Sequence, residues 1–391
     1  MVFFSRIGEI FPFLANIHIN LLSFSATFVL FLFAGEYKTI EWNRNSAAKL
    51  IVLFFFLGLL TVPFAIWPTN ALDAWQEYIM INSLICFFCL ASIQNEKQIT
   101  RAVHAFLVGT FLIVSALHIN PIYTDTGRAF VAYSYDPNDL AMIFAVTFPM
   151  VVGQLFVADK KWRILLSLYL ILLISGILKT GSRGGMLALV VAILLILFSS
   201  VVKVKLCYKS LVVIVIVVLL QTLVVETVFE RWEDVLSGQD YNLVDTVEGT
   251  GGRIGIWKGG LRLFGENFFF GVGVGNSSTA MGERFGQYGW MTMHNAYLQT
   301  AVEMGIGGII VLLLILHTIW RDCSQAIKDY AEHSLNKSIF SIAYSLRISL
   351  LTLMVASFFL SQAYSIIIPF FLIIAYKAKF LVSESNSERG I

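Results

Sequence analysis

The chain has 391 residues, 58% hydrophobic and only 13% charged, with a formal net charge of +2 and a mean hydropathy of +0.78. A soluble domain carries about 25% charged residues, so half of the surface charge such a domain needs is missing. No basic surface for nucleic acid exists either, because lysines and arginines are scattered between apolar runs.

Those runs recur at about eighteen residues or more, enough to cross roughly 30 Å of hydrocarbon. In chain order the predicted spans lie near 17–35, 48–66, 72–93, 102–118, 139–157, 163–178, 184–202, 210–226, 294–319, 342–360 and 364–380. Lipid offers backbone amides no partners, which leaves helices or closed barrels, and continuous apolar sequence excludes alternating barrel strands. The expected fold class is an all-α polytopic membrane protein with 11–12 transmembrane helices and one large periplasmic loop containing short interfacial helices. Residues 2–16 either lie in the interface or form the twelfth span.

Sidedness follows from the cations. Connections holding Lys38, Arg44, Lys49, Lys97, Arg101, Lys160, Lys161, Arg163, Lys203, Lys205, Lys209, Arg321, Lys328, Lys337, Lys377, Lys379 and Arg389 alternate with those holding Arg128, Lys179, Arg183, Arg231, Arg253, Lys258, Arg262 and Arg284. Seventeen against eight puts the first set and the C-terminus in the cytoplasm and the 227–293 loop outside. The expected organisation is an N-terminal bundle at 1–226, the loop at 227–293, and C-terminal helices with a tail at 294–391. Arg6 and Glu9 interrupt the N-terminus, which does not read as a cleaved signal peptide. Cys86 and Cys89 sit inside a span with no second ligand pair, so packing is expected of them in preference to redox or metal work.

The outward cations are exceptions to the charge rule and mark the candidate chemistry. Lys179-Thr-Gly-Ser182-Arg183-Gly184-Gly185 is a tight turn whose glycines leave amides accessible beside a five-donor guanidinium. It suits a phosphate or diphosphate, or else an arginine reaching for lipid headgroups. After Gly252-Arg253, the positions Ile254, Trp257, Leu261 and Phe264 describe one face of an interfacial helix. Gly271, Gly273 and Gly275 form a compact turn with no strand before it, unlike a dinucleotide loop. Gly127-Arg128 and Asp136-Pro137-Asn138-Asp139 precede a span, with Asp136 or Asn138 able to cap it.

His294 is the acid/base candidate, since its ordinary pKa lies near neutrality. At about 100° per residue, Leu298, Ala301, Gly305 and Gly308 share its helical face, and small residues there admit a neighbouring helix. Glu303 falls on the opposite face. His18, His104, His118, His317 and His333 lack ligand spacing or lie on the wrong side. Asp136 and Asp139 alone make no convincing metal site, so a metal-independent reaction is expected, with no cofactor.

Together these motifs resemble the O-antigen ligase/polymerase superfamily of bacterial envelope glycan transferases. The likeness rests on His294-Asn295, nine residues, Gly305, two residues and Gly308. Ser182-Arg183-Gly184, Gly252-Arg253 to Trp257, and Pro137-Asn138 match in order and sidedness. It implies glycan transfer from a polyprenyl (undecaprenyl) diphosphate carrier to an acceptor sugar hydroxyl, at the periplasmic face of the bacterial inner membrane. In that scheme His294 is the base. Arg183 and Arg253 bind the diphosphate, with Arg128, Asn138, Ser182, Asn295 and Trp257 completing the substrate site. Partners are then the carrier-linked donor, a glycan or glycolipid acceptor, and membrane lipids. The histidine-glycine pattern leans toward O-antigen ligation to lipid A–core. The alternative is a polymerase joining carrier-linked repeats; a protein O-oligosaccharyltransferase and a lipid-linked sugar transporter stand behind it.

Overall fold

The computed structural model describes residues 7–35, 45–132, 134–199, 253–285, 292–333 and 337–388. Two short helices, α1 (Ile7–Ile10) and α2 (Pro12–Asn16), precede α3 (Ile19–Ala34). Pro12 removes a backbone donor and His18 adopts a left-handed φ of 50°, so residues 7–16 break into turns and form no continuous span. Glu9 instead accepts hydrogen bonds from the Ser134 amide (2.9 Å) and hydroxyl (2.5 Å).

Next come α4 (Ser46–Thr61), α5 (Pro68–Ala74) and α6 (Ile81–Ser92). A π-helical turn, Trp75–Met80, makes α5 and α6 one continuous rod. Beyond α7 (Glu96–Ile119), a small hairpin of β1 (Ile122–Tyr123) and β2 (Ala129–Phe130) leads into α8 (Pro137–Leu155). Then follow α9 (Lys160–Thr180), α10 (Arg183–Leu197), α11 (Arg253–Glu266), α12 (Ser277–Phe285), α13 (Ala296–His333), α14 (Lys337–Ser357) and α15 (Ile367–Glu388). Among the described residues, seven helices are long and apolar enough to cross a membrane, and α3 and α10 are shorter apolar helices. Ten of the predicted spans fall on described helices; the one near 210–226 lies outside the described residues.

The bundle centres on α8, 78% of whose apolar window is buried against 28% for α9. Close contact there depends on small side chains and hydroxyls, as expected where lipid supplies no hydrophobic drive. Ser349 donates to the Val146 carbonyl at 2.7 Å and Ser341 to that of Gly153. A Cβ on Gly185 of α10 would come within 2.3 Å of Ala141, so that crossing needs glycine.

The helix after His294 is not the smooth rod its sequence suggested. Gly305 sits at φ 64°, ψ −163°, breaking α13 one-quarter of the way along. Backbone from residues 268–273 docks into the break. Val272 and Gly273 amides donate to the carbonyls of Val302 (2.8 Å) and Glu303 (3.0 Å), and Ile306 donates to Phe268 (2.8 Å). Any Cβ at Gly305 would lie 2.3 Å from the Phe269 carbonyl oxygen. Gly305 therefore admits a loop where a neighbouring helix was expected. The break also interrupts the 100° phase, and a Cβ on Gly308 would meet Met304 of its own helix.

Candidate active site

The outward motifs converge at one end of the bundle. Arg128, at the tip of the hairpin, donates through Nε to the Thr180 carbonyl (2.9 Å) and through NH2 to Asn138 Oδ1 (2.7 Å). The same Asn138 oxygen accepts from Ser182 Oγ (2.9 Å). Asn138 thus ties together the hairpin, the start of α8 and the start of α10. Arg183 and Arg253 open α10 and α11, both exposed, and both lie within electrostatic reach of Arg128. Burial, opposed by Asp136 and reinforced by these two guanidiniums, pulls the Arg128 pKa down. The first-turn amides of two helices add partial positive charge to this three-arginine patch. Arg253 stands 5.9 Å over the Phe359 ring, and Phe359 also covers Gly184.

His294 adjoins this patch. Its φ is +48°, a left-handed conformation rare outside glycine. Two contacts hold it there: the His294 amide donates to Ser361 Oγ (2.7 Å) and Trp257 Nε1 donates to the Met293 carbonyl (3.1 Å). Partial burial and then the Arg253 charge lower the imidazole pKa, with Asp136 opposing. Both influences favour the neutral ring, the state in which it can take a proton.

Not all predicted substrate residues present themselves. Ser182 is 2% exposed and caps α10 by accepting from the Gly185 amide (3.3 Å). Asn295 caps α13 by accepting from Leu298 (2.9 Å). Trp257 spends its indole N–H on Met293. These three hold backbone in place around Arg183 and His294. Of the turn's glycines, only Gly181 is left-handed, at φ 60°; Gly184 and Gly185 serve packing. Asp136 and Asp139 form a reciprocal capping box at the start of α8. On α11 the face turned to the protein is Ile256, Gly260 and Leu263, while Leu261 is 61% exposed. The reason is Gly260, where a Cβ would lie within 2.8 Å of Leu298: glycine, not the longest apolar stripe, selects the packed face. Arg262 and Arg284 both pair with Glu266, linking α11 to α12.

Sequence reasoning missed the irregular segment 358–366 between α14 and α15, read as parts of two spans. It supplies Phe359, Ser361 and Gln362, the last donating to Asp139 Oδ1 (2.7 Å). The polar run Ser361-Gln362-Ala363-Tyr364-Ser365 was the available signal. Glu303 was set aside for facing away from His294, yet it is a buried junction. It accepts from Ser277 Oγ (2.5 Å), the Gly275 amide (2.9 Å) and Tyr364 OH (2.7 Å). Beside it a cavity of about 480 Å³ runs from α5–α6 to Thr292 and Ser361, next to the histidine. No group of three or more His, Cys, Asp or Glu side chains suited to a metal converges among the described residues.

This arrangement offers an imidazole whose pKa is lowered, a cationic patch near it and an adjoining polar cavity. Such a set can accept a proton from a nucleophile while stabilising an anionic leaving group. No curated relative matches the chain. Residues 168–313 match the protein-family model described as O-Antigen ligase, a stretch running from α9 through Arg183, Arg253 and His294 to the kinked helix. The chain is thus a multi-pass membrane protein whose residues 168–313 are similar to the O-antigen ligase family, a likeness that supports glycosyl transfer of O-antigen ligase/polymerase type.

Proposed function

We propose that this protein transfers a completed glycan from a polyprenyl diphosphate carrier to a sugar hydroxyl of lipid A–core, at the periplasmic face of the inner membrane. The observation that supports it most is the convergence of His294 with Arg253, Arg183 and Arg128 at one end of the bundle. The acceptor hydroxyl gives its proton to the imidazole as its oxygen bonds to the anomeric carbon. The bond from that carbon to the diphosphate oxygen breaks with inversion, and the leaving oxygen keeps the electron pair. Guanidinium forks match phosphate oxygens in pairs and stay charged at all working pH. They therefore stabilise the charge that grows as the bond breaks.

Chain-length analysis of envelope glycan in a deletion strain tests this. Ligation predicts full-length polymer stranded on the carrier and bare lipid A–core. Single repeats still transferred to the envelope would overturn ligation in favour of polymerisation.

A further inference from the structure

The 480 Å³ cavity falls within the about 300–1,000 Å³ typical of small-molecule sites. Its polar wall has an unusual bias. Asn82 spends its amide N–H on the Tyr364 carbonyl (2.9 Å), and Gln362 spends its own on Asp139 (2.7 Å). Each keeps its carbonyl oxygen, an acceptor, and one further N–H. Glu77 stands exposed at the rim, and Glu303 forms a wall already held by protein donors. No lysine or arginine is among the described lining residues. A wall with two carboxylates and no described cation favours a ligand rich in donors and disfavours an anionic one.

We propose that this cavity is the acceptor-sugar pocket, selecting a hydroxyl-rich ring that is uncharged or bears an amine over one bearing carboxylate or phosphate. This rests on the glycan-transfer reading above. Its position fits that task, because Thr292 and Ser361 line the cavity and contact His294. A hydroxyl held there lies beside the imidazole. Anionic donor and donor-rich acceptor are thereby sorted to different flanks by charge alone.

The test uses full-length protein in proteoliposomes, with carrier-linked donor and acceptor glycolipid fractions extracted from the source cells' envelope, each titrated in turn. Ser278 lines the cavity in the first turn of α12, and Ser278→Trp fills space there. It should raise the half-saturating acceptor concentration about tenfold or more and leave that of the donor within about twofold. Glu77→Lys, at an exposed position that folding tolerates, should raise the acceptor value about threefold or more, since it replaces an acceptor with a cation. A lower acceptor value in Glu77→Lys would mean an anionic acceptor and overturn the selectivity. A rise confined to the donor in Ser278→Trp, or no change in either variant, would overturn the pocket. Wild-type protein that transfers nothing between these fractions would instead overturn the functional reading itself.

Discussion

On one flank of His294 stand three guanidiniums, each presented from a hairpin tip or a helix start. On the other lies a cavity whose described wall carries two carboxylates and no cation. The cationic flank starts from short-range devices, the Asp136–Asp139 capping box and the Ser182 cap, which Asn138 and Arg128 then tie across to Ser182 and Thr180. The polar flank is assembled from residues far apart in sequence, with Glu303 of α13, Ser277 of α12 and Tyr364 before α15 meeting in one network. Local devices fix charge at a point. Distant ones shape a volume.

The largest expected effect falls on the residue between them. His294→Ala should lower the transfer rate by about 10²–10⁴-fold, the usual worth of a positioned base. Half-saturating donor and acceptor concentrations should move little, because neither flank is touched. Near-normal turnover by purified His294→Ala protein would remove the imidazole from the reaction.

That contrast also explains what the sequence disclosed. The cationic flank was legible because each part announces itself locally: an arginine outside the membrane against the charge bias, or a Ser, Asn or Asp before an apolar run. The spans were legible for the same reason, since hydropathy is a property of contiguous residues. The polar flank was not. Glu303 looked irrelevant on a helical wheel because the wheel assumes one unbroken helix, whereas Gly305 breaks it and residues 268–273 bond into the gap. Segment 358–366 was absorbed into two spans because its apolar neighbours outweigh five polar-leaning residues. On α11, pattern alone chose the Leu261 stripe, and only the contact at Gly260 shows which face packs.

The next effect separates arginines of the cationic flank from those that merely brace it. Arg183→Lys and Arg253→Lys keep the charge and lose the bidentate fork. Each should cost about ten- to a hundredfold in transfer at subsaturating donor, as expected for charge-assisted hydrogen bonds of about 1.5–3 kcal/mol. Arg262→Ala and Arg284→Ala break exposed, solvent-screened pairs with Glu266 and should leave transfer unchanged. Full activity in both lysine variants would reduce Arg183 and Arg253 to general anchors.

A smaller effect reads the field between the flanks. Arg253 lowers the His294 pKa and Asp136 raises it, both behind burial. If His294 is the base, transfer needs the neutral ring, and the rate should fall on the acid side as the ring protonates. Arg253→Gln removes a lowering influence and should shift that acid limb to higher pH. Asp136→Asn, which keeps a capping side chain, should shift it to lower pH. The pH profile of transfer at saturating donor and acceptor measures both. Parallel shifts in one direction would mean that the limb belongs to another group.

The smallest effect expected is none at all, on chelation. A divalent ion in this chemistry would neutralise the leaving diphosphate. In the proposed scheme Arg183, Arg253 and Arg128 of the cationic flank supply that charge instead. Asp136 and Asp139 are the nearest carboxylates, and both are committed: each accepts from the other's amide, and Asp139 also accepts from Gln362. Binding a metal between them would cost the cap of α8, worth about 0.5–2 kcal/mol, and would bring a second positive centre against three guanidiniums. Purified protein in excess EDTA should therefore keep its full transfer rate. If activity vanished and magnesium or manganese restored it, the capping pair would have to open in the working enzyme. The arginines would then orient the donor while a cation carries the charge.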